Sequence, residues 1–157
     1  MIKEEFSKKV VAAAGEKEKE KAYWLKKLSG ELQITGFPYD FKRKHGKTNQ
    51  ANKITLEPRL IFTGEHFNQL MKISGQSPNR LYVILAAALM VLLAKYTAKA
   101  DIIVAVPIFK QQIQGDFINT ILLLRNQIQE TTTYKELLSA VSQILKQALE
   151  NQNYPLE

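Results

Sequence analysis

The sequence predicts a single α/β lobe, residues 1–157, in which helices cover a mixed β-sheet. Two apolar runs, Asp101–Pro107 (DIIVAVP) and Phe117–Leu124 (FINTILLL), have the continuous hydrophobic character of strands that are buried on both faces. Segments with apolar residues at helical spacing lie before and after these runs. Strands that alternate with helices in this way are typical of an α/β arrangement.

Residues 1–30 are predicted to form two helices that lead into the lobe. Met1–Ala14 is amphipathic, and Glu16–Leu28 combines a charged, solvated face with an apolar aromatic end. Ser29–Gly30 ends the second helix, because glycine readily adopts the backbone conformation of a helix C-terminus. Residues 31–50 contain glycine and proline with few periodic apolar positions, so we expect a long surface loop there.

Residues 51–157 are predicted to form the α/β core. The alternation of Ile54 and Leu56 predicts a strand over Ala51–Phe62. A short helix is expected to follow, from a cap at Thr63 as far as Ile73.

Two longer helices complete the predicted core. Asn79–Thr97 is apolar on nearly every side and is expected in the centre of the lobe, after an N-cap and first-turn proline at Ser77–Pro78. Its apolar stretch Leu81–Ala94 is shorter than the roughly 20 residues that span a bilayer, so no membrane role is expected. The last helix is predicted over Tyr134–Asn151, with Thr132 or Thr133 as its cap.

The composition excludes some chemistry and favours certain partners. The chain of 157 residues has no cysteine, which excludes disulfides and thiolate catalysis and is compatible with a reducing, cytoplasmic location. Its formal charge of +7 favours acidic partners. The two histidines, His45 and His66, have no carboxylate at metal-ligand spacing, so no metal site is expected.

Four segments, in order along the chain, resemble the condensation domain of non-ribosomal peptide synthetases. Gly115–Arg125 (GDFINTILLLR) matches the box G-x-F-(V/I)-N-T-x-x-x-x-R, and Asn151–Glu157 (NQNYPLE) matches a later box ending P-(F/L)-E. Ala22–Gly30 (AYWLKKLSG) matches an aromatic helix and its exit. Leu85–Pro107 matches a buried helix, a turn and the strand that follows.

The resemblance implies a chloramphenicol-acetyltransferase-like sandwich lobe that is the C-terminal half of a condensation domain. The family's catalytic HHxxxDG motif is absent from the sequence, so the chain alone is not expected to catalyse amide formation. The implied partners are the N-terminal lobe and peptidyl or aminoacyl carrier proteins. No cofactor is expected to bind; the substrates would be tethered to the 4′-phosphopantetheine of a carrier.

The residues of the two boxes are the site candidates. The resemblance places them beside the acceptor half of the tunnel in which two tethered substrates meet: Gly115, Phe117, Asn119, Thr120, Arg125, Asn151, Gln152, Asn153 and Pro155. Purely structural roles for these residues remain open as alternatives. The Asn119 amide would then bond to neighbouring backbone or bridge the strand to a loop, because buried amides usually serve packing networks. Arg125, which closes the predicted strand, would pair with a buried carboxylate or hold the lobe junction. Asp101 would cap or pair locally. The terminal box would be a helix exit that frays.

Two further functions compete with this interpretation. The chain could be a non-catalytic docking or scaffold module for a carrier or a separate lobe, which would expose apolar surface. It could also be a basic anion- or nucleic-acid-binding domain, with Lys42, Arg43, Lys44, His45 and Lys47 as its densest cluster. Nucleic acid is the less favoured partner, because no aromatic residues are interleaved with these charges.

Overall fold

The computed structural model describes most of the core and the helix that leads into it, namely residues 15, 17–33, 35–38, 59, 61, 63–108, 119 and 121–156. The predicted helix Met1–Ala14 lies outside the described residues, as does nearly all of the predicted strand Ala51–Phe62. Three site candidates, Gly115, Phe117 and Thr120, also lie outside them. Their predicted roles stay predictions.

Within the described residues the chain forms four helices and two strands. In chain order these are α1 (Glu18–Lys27), α2 (Gly64–Ile73), α3 (Pro78–Thr97), β1 (Asp101–Pro107), β2 (Ile121–Gln127) and α4 (Tyr134–Glu150). The four helices predicted in this part of the chain are confirmed, and each end lies within two residues of its predicted position. The mixed α/β class is confirmed as well.

Local capping explains where the two longest helices begin. The Ser77 hydroxyl accepts a hydrogen bond from the backbone N–H of Arg80 at 3.4 Å, and Pro78 occupies the first turn. Thr133, the second of the two predicted threonines, caps α4: its hydroxyl accepts from the Glu136 N–H at 3.3 Å. The Glu136 carboxylate accepts from the Thr133 N–H at 2.9 Å in return. This reciprocal pair is a capping box, which satisfies two backbone donors that the helix leaves free.

The two described strands form an antiparallel pair. Asp101 lies opposite Gln127 and Pro107 lies opposite Ile121. In the described part of the chain the sheet contains these two strands, so the predicted mixed sheet is not observed there. β2 continues to Gln127, so Arg125 lies inside the strand instead of closing it as predicted.

The prediction that both strands are buried on both faces is wrong. Ile102, Val104 and Val106 of β1 are buried, whereas Ala105 and Pro107 between and after them are exposed. Side chains alternate between the faces of a strand, so one face of the sheet meets the core and the other is partly covered. An apolar run alone could not distinguish these cases, because the exposed positions of β1 are also apolar.

The core lies between the inner face of the sheet and the helices α3 and α4. Its buried side chains include Ala86, Ala87, Met90 and Leu93 from α3, and Leu137, Val141, Ile144 and Ala148 from α4. The prediction that α3 is central on all sides is wrong, since Leu85, Leu92 and Tyr96 on its far side are 51, 44 and 61% exposed.

The length of α3 also corrects the estimate based on its apolar stretch. The helix has 20 residues and a mean hydropathy of 1.6, which by length and composition would allow it to cross a membrane. Core helices have the same properties, and one face of α3 packs against β1 and α4. That packing favours the core interpretation.

Candidate functional site

Asn119 connects the two sequence boxes that were singled out as a site. Its side chain is buried, at 7% exposure, and its Nδ2 donates to the carbonyl oxygens of Gln152 and Tyr154, both at 2.6 Å. Its Oδ1 accepts from the backbone N–H of Leu156 at 3.2 Å. One amide therefore binds three backbone groups of a segment more than thirty residues later in the chain.

Trp24 holds the beginning of the same segment. The indole is 2% exposed, and its Nε1 donates to the carbonyl oxygen of Asn151 at 2.7 Å. The Asn151 side chain in turn donates to the Gln147 carbonyl oxygen at 2.8 Å, which satisfies an acceptor at the end of α4. Residues 151–156 are thus bound at both ends by buried side chains, and the expectation of a frayed helix exit is wrong.

The remaining candidates of this segment contribute through position more than through their side chains. Gln152 takes part through its carbonyl oxygen, and Asn153 and Pro155 lie half-buried in the turn between the two anchor points. Asn119 and Asn151 are hence the two candidates whose side chains shape the segment directly.

Arg125 and Asp101 form a second cluster on the neighbouring strands. The Arg125 Nε lies 2.9 Å from Asp101 Oδ1, and its Nη2 lies 2.6 Å from Oδ2. The two side chains are only 15 and 13% exposed, so this two-pronged pair is largely removed from water. The hydrogen bond from Arg125 is the main reason that the pKa of Asp101 lies below its usual range, and the same bond raises the pKa of Arg125.

The other donors of Arg125 bind the backbone where the chain leaves α1. Nη1 donates to the carbonyl oxygens of Lys27 and Ser29 at 3.2 and 2.7 Å, and Nη2 also reaches that of Glu31 at 3.4 Å. A guanidinium has five N–H donors, and these contacts together with Asp101 use all of them. The expected pairing of Arg125 with a carboxylate is confirmed. Arg125 also positions the exit of α1, which was not predicted, and it has no donor left for a substrate.

The described residues beyond this exit contact both β1 and α3. The Thr35 hydroxyl donates to the carbonyl oxygen of Ile103 in β1 at 3.1 Å. The ring of Phe37 meets Tyr96 at the end of α3 edge-to-face, with 5.7 Å between the ring centres. In its described part, the predicted surface loop is thus attached to both layers of the lobe.

Sequence reasoning found the residues of these clusters but missed several of their partners. It identified Trp24 as part of an apolar helix end and not as a donor to Asn151, which lies 127 positions later. It also missed the three carbonyl groups that receive Arg125. No sequence signal marks a backbone acceptor, since every residue carries one.

The described residues hold no cluster of three or more residues that would bind a metal ion. His66 is exposed on α2, while His45 and the basic cluster around it lie outside the described residues. That cluster's predicted anion-binding role consequently stays a prediction.

Comparison with known proteins identifies the family. The family model described as "Condensation domain" matches residues 4–157. The chain belongs to the condensation domain family. Its resemblance to the condensation domains of non-ribosomal peptide synthetases is thereby confirmed.

Several synthetases contain a region similar to this condensation domain sequence. Bacitracin synthase 1 of Bacillus licheniformis is 32% identical over 152 residues, which is 93% of this chain and 3% of that protein. Tyrocidine synthase 3 of Brevibacillus parabrevis is 33% identical over 141 residues, or 86% of this chain and 2% of that protein. Gramicidin S synthase 2 of Brevibacillus brevis is 31% identical over 147 residues, or 89% and 3%.

The chain thus spans about 3% of the length of the curated relatives that it matches. No solved structure matches this chain. The chloramphenicol-acetyltransferase-like arrangement implied by the resemblance stays a prediction. The described residues combine four helices with an antiparallel strand pair.

Proposed function

We propose that this chain acts as the C-terminal lobe of a non-ribosomal peptide synthetase condensation domain. In that role it shapes the acceptor side of the tunnel in which an aminoacyl-carrier amine attacks an acyl or peptidyl thioester. The complete domain would accelerate amide formation largely by holding the two tethered groups in register. Both groups would arrive on the 4′-phosphopantetheine arms of carrier proteins.

The observation that carries this proposal is the link from Asn119 to residues 152–156. Two boxes of the family's sequence pattern are far apart in the chain, yet one buried amide joins them through contacts of 2.6, 2.6 and 3.2 Å. These residues form one structural unit. A unit built from polar groups beside a buried strand could fix the shape of a tunnel wall, because each polar group is held by a specific partner.

The same geometry supports a lobe that does not catalyse on its own. The sequence lacks HHxxxDG, and His66, the histidine in the described part of the chain, is exposed and remote from Asn119 in sequence. Arg125 is a donor only, and its hydrogen bonds lower the pKa of Asp101, which makes that carboxylate a poor base for an attacking amine. Proton transfer would have to come from the N-terminal lobe.

Reconstitution would test the assignment. The chain is mixed with a separately expressed N-terminal lobe that carries HHxxxDG and with two loaded carriers, and the amide product is detected by mass spectrometry. We expect product from the mixture and none from the chain without that lobe. Turnover by the chain alone, or a mixture that forms a stable complex without any turnover, would contradict the proposal.

Carrier binding can be tested independently of catalysis. An amide ¹H–¹⁵N spectrum is recorded before and after an aminoacyl-loaded carrier protein is added. Shifts confined to residues around Asn119 and residues 151–156 would support an acceptor-side surface. Peaks that stay in place even when the N-terminal lobe is present would contradict it.

The exposed face of α3 favours a second candidate function, a non-catalytic module that docks a carrier or another lobe. Leu85, Leu92 and Tyr96 are separated by seven and four residues and therefore lie on one side of the helix. An apolar stripe of this kind usually marks a protein interface. Gel filtration with and without an N-terminal lobe, together with binding of an apolar dye, tests this candidate: a monodisperse monomer that binds no dye would remove it.

A further inference from the structure

A cleft of about 540 Å³ lies between α1, β2 and the end of α4. Its walls are formed by Tyr23, Lys26, Lys27, Asp101, Arg125, Asn126, Gln127 and Gln147. Lys26 and Lys27 lie three and four positions after Tyr23, so the three side chains project from one face of α1. The cleft plays no part in the link between Asn119 and the terminal segment.

Tyr23, in the wall of this cleft, holds an unused hydrogen-bond donor just beneath its surface. Its hydroxyl oxygen is shielded from solvent and has no hydrogen-bond partner within the described part of the chain. The ring meets Trp24 edge-to-face at 4.9 Å, which fixes its position beside the core. A buried hydroxyl without a partner is unfavourable, and native structures retain such groups mainly where a water, an ion or a ligand satisfies them.

Lys27 brings a second set of donors to the same place. The ammonium is half-buried, and no carboxylate of the described residues lies within ion-pair distance of it. Burial, followed by the Arg125 guanidinium, lowers the pKa of Lys27, while the Asp101 carboxylate opposes that effect. The positive charge is thus poorly compensated in the unliganded molecule.

The charges around the cleft favour an anion. Lys26, Lys27 and Arg125 are positive; Asp101 is already paired with Arg125, and Glu150 lies close enough to Tyr23 to raise the pKa of its hydroxyl. These five charged groups sum to one net positive charge. The groups without partners, the Tyr23 hydroxyl and the Lys27 ammonium, are hydrogen-bond donors. A phosphate monoester fits better than a carboxylate, because its three terminal oxygens can accept from a hydroxyl and from two ammonium groups at once.

We propose that the cleft formed by Tyr23, Lys26, Lys27 and Gln147 binds the phosphate monoester of a small molecule or of a lipid headgroup. The Tyr23 hydroxyl and the Lys27 ammonium donate to the phosphate oxygens, and Lys26 adds charge at the rim. This site is independent of the role proposed for Asn119, so either could fail without the other.

The test is a titration of the full chain with glycerol 3-phosphate at constant ionic strength, followed by amide ¹H–¹⁵N spectra. A parallel arm uses phosphatidylcholine vesicles with and without phosphatidic acid. Shifts confined to the cleft with the soluble ester identify a small-molecule phosphate. Binding to phosphatidic acid vesicles without such shifts from the soluble ester identifies a headgroup. Binding in neither arm, or shifts that lie elsewhere, overturns the proposal.

Three variants distinguish phosphate binding at this site from nonspecific attraction of phosphate to a positively charged protein. Tyr23→Phe removes only the hydroxyl, which has no partner to lose, so the fold is retained and phosphate binding is expected to weaken about tenfold. Lys27→Met should weaken phosphate binding by at least about tenfold. Lys21→Met removes an exposed charge from another face of α1 and should change affinity less than about twofold. Equal losses for Lys21→Met and Lys27→Met, or no loss for Tyr23→Phe, would overturn the proposal.

Discussion

Replacing Asn119 by alanine should separate the terminal segment from the sheet. The substitution removes two donor contacts of 2.6 Å and one acceptor contact of 3.2 Å. A hydrogen bond in a protein contributes about 1 kcal/mol net, and a buried group left without its partner costs more. Because residues 152–156 are half-buried, water could reach part of the freed backbone. We therefore expect a loss of about 2–3 kcal/mol in the free energy of unfolding.

Urea unfolding at pH 7, followed by far-ultraviolet circular dichroism, measures this loss. The midpoint should fall with little change in the slope, since a similar area is exposed on unfolding. The melting temperature should fall by about 5–10 °C for a domain of this size.

Asn153→Ala is the matched control, because Asn153 lies in the same segment but contributes no hydrogen bond to the links at Asn119 and Trp24. It should change the stability by less than about 0.5 kcal/mol. If Asn119→Ala cost no more than this control, the idea that Asn119 anchors the segment would be refuted.

Four further outcomes follow from the other contacts. Arg125→Lys should cost about 2–4 kcal/mol in urea unfolding, because lysine cannot reproduce the two-pronged bond to Asp101 and the bonds to three carbonyls; a neutral effect would contradict the positioning role. The pKa of Asp101 is depressed, so its contribution to stability is present above the unfolded value of about 3.9 and is lost as pH falls through the lower folded pKa. Unfolding measured from pH 7 to pH 2 should show this acid loss in the natural chain and less of it in Asp101→Asn; identical pH profiles would exclude the linkage. Trp24→Phe should cost about 2 kcal/mol through the bond to Asn151 and lost packing, with Tyr134→Phe on the surface as a comparison. Thr133→Ala should cost about 1 kcal/mol by removing the capping box, and an unchanged melting temperature would show that α4 does not depend on it.

The helices could be predicted from the sequence because their signals are local. Ser77 and Pro78 start α3, and Thr133 and Glu136 start α4, through contacts that span three residues. Such contacts form in the same way wherever the helix lies in the fold. The apolar periodicity of the last helix likewise predicted α4 to within one residue at its end.

The faces of the sheet and of α3 could not be predicted in the same way. Ala105 and Leu92 are apolar yet exposed, and the run of residues around each resembles a segment buried on all sides. The hydrophobicity of a side chain makes its burial favourable, but it does not determine which neighbours are available to cover it.

Part of the candidate site could be predicted from the sequence, and part was decided only by the tertiary structure. The sequence alone determined the family and the absence of the catalytic histidine motif. It also singled out Asn119 and Arg125 as candidates, because a polar side chain in an apolar run is costly without partners. Only the tertiary structure decided which partners they have: Asn119 binds the backbone of residues 152–156, and Arg125 binds Asp101 and the carbonyls beyond α1. Backbone acceptors are the same in every residue, so long-range partners of this kind are selected by the folded chain and leave no mark in the sequence.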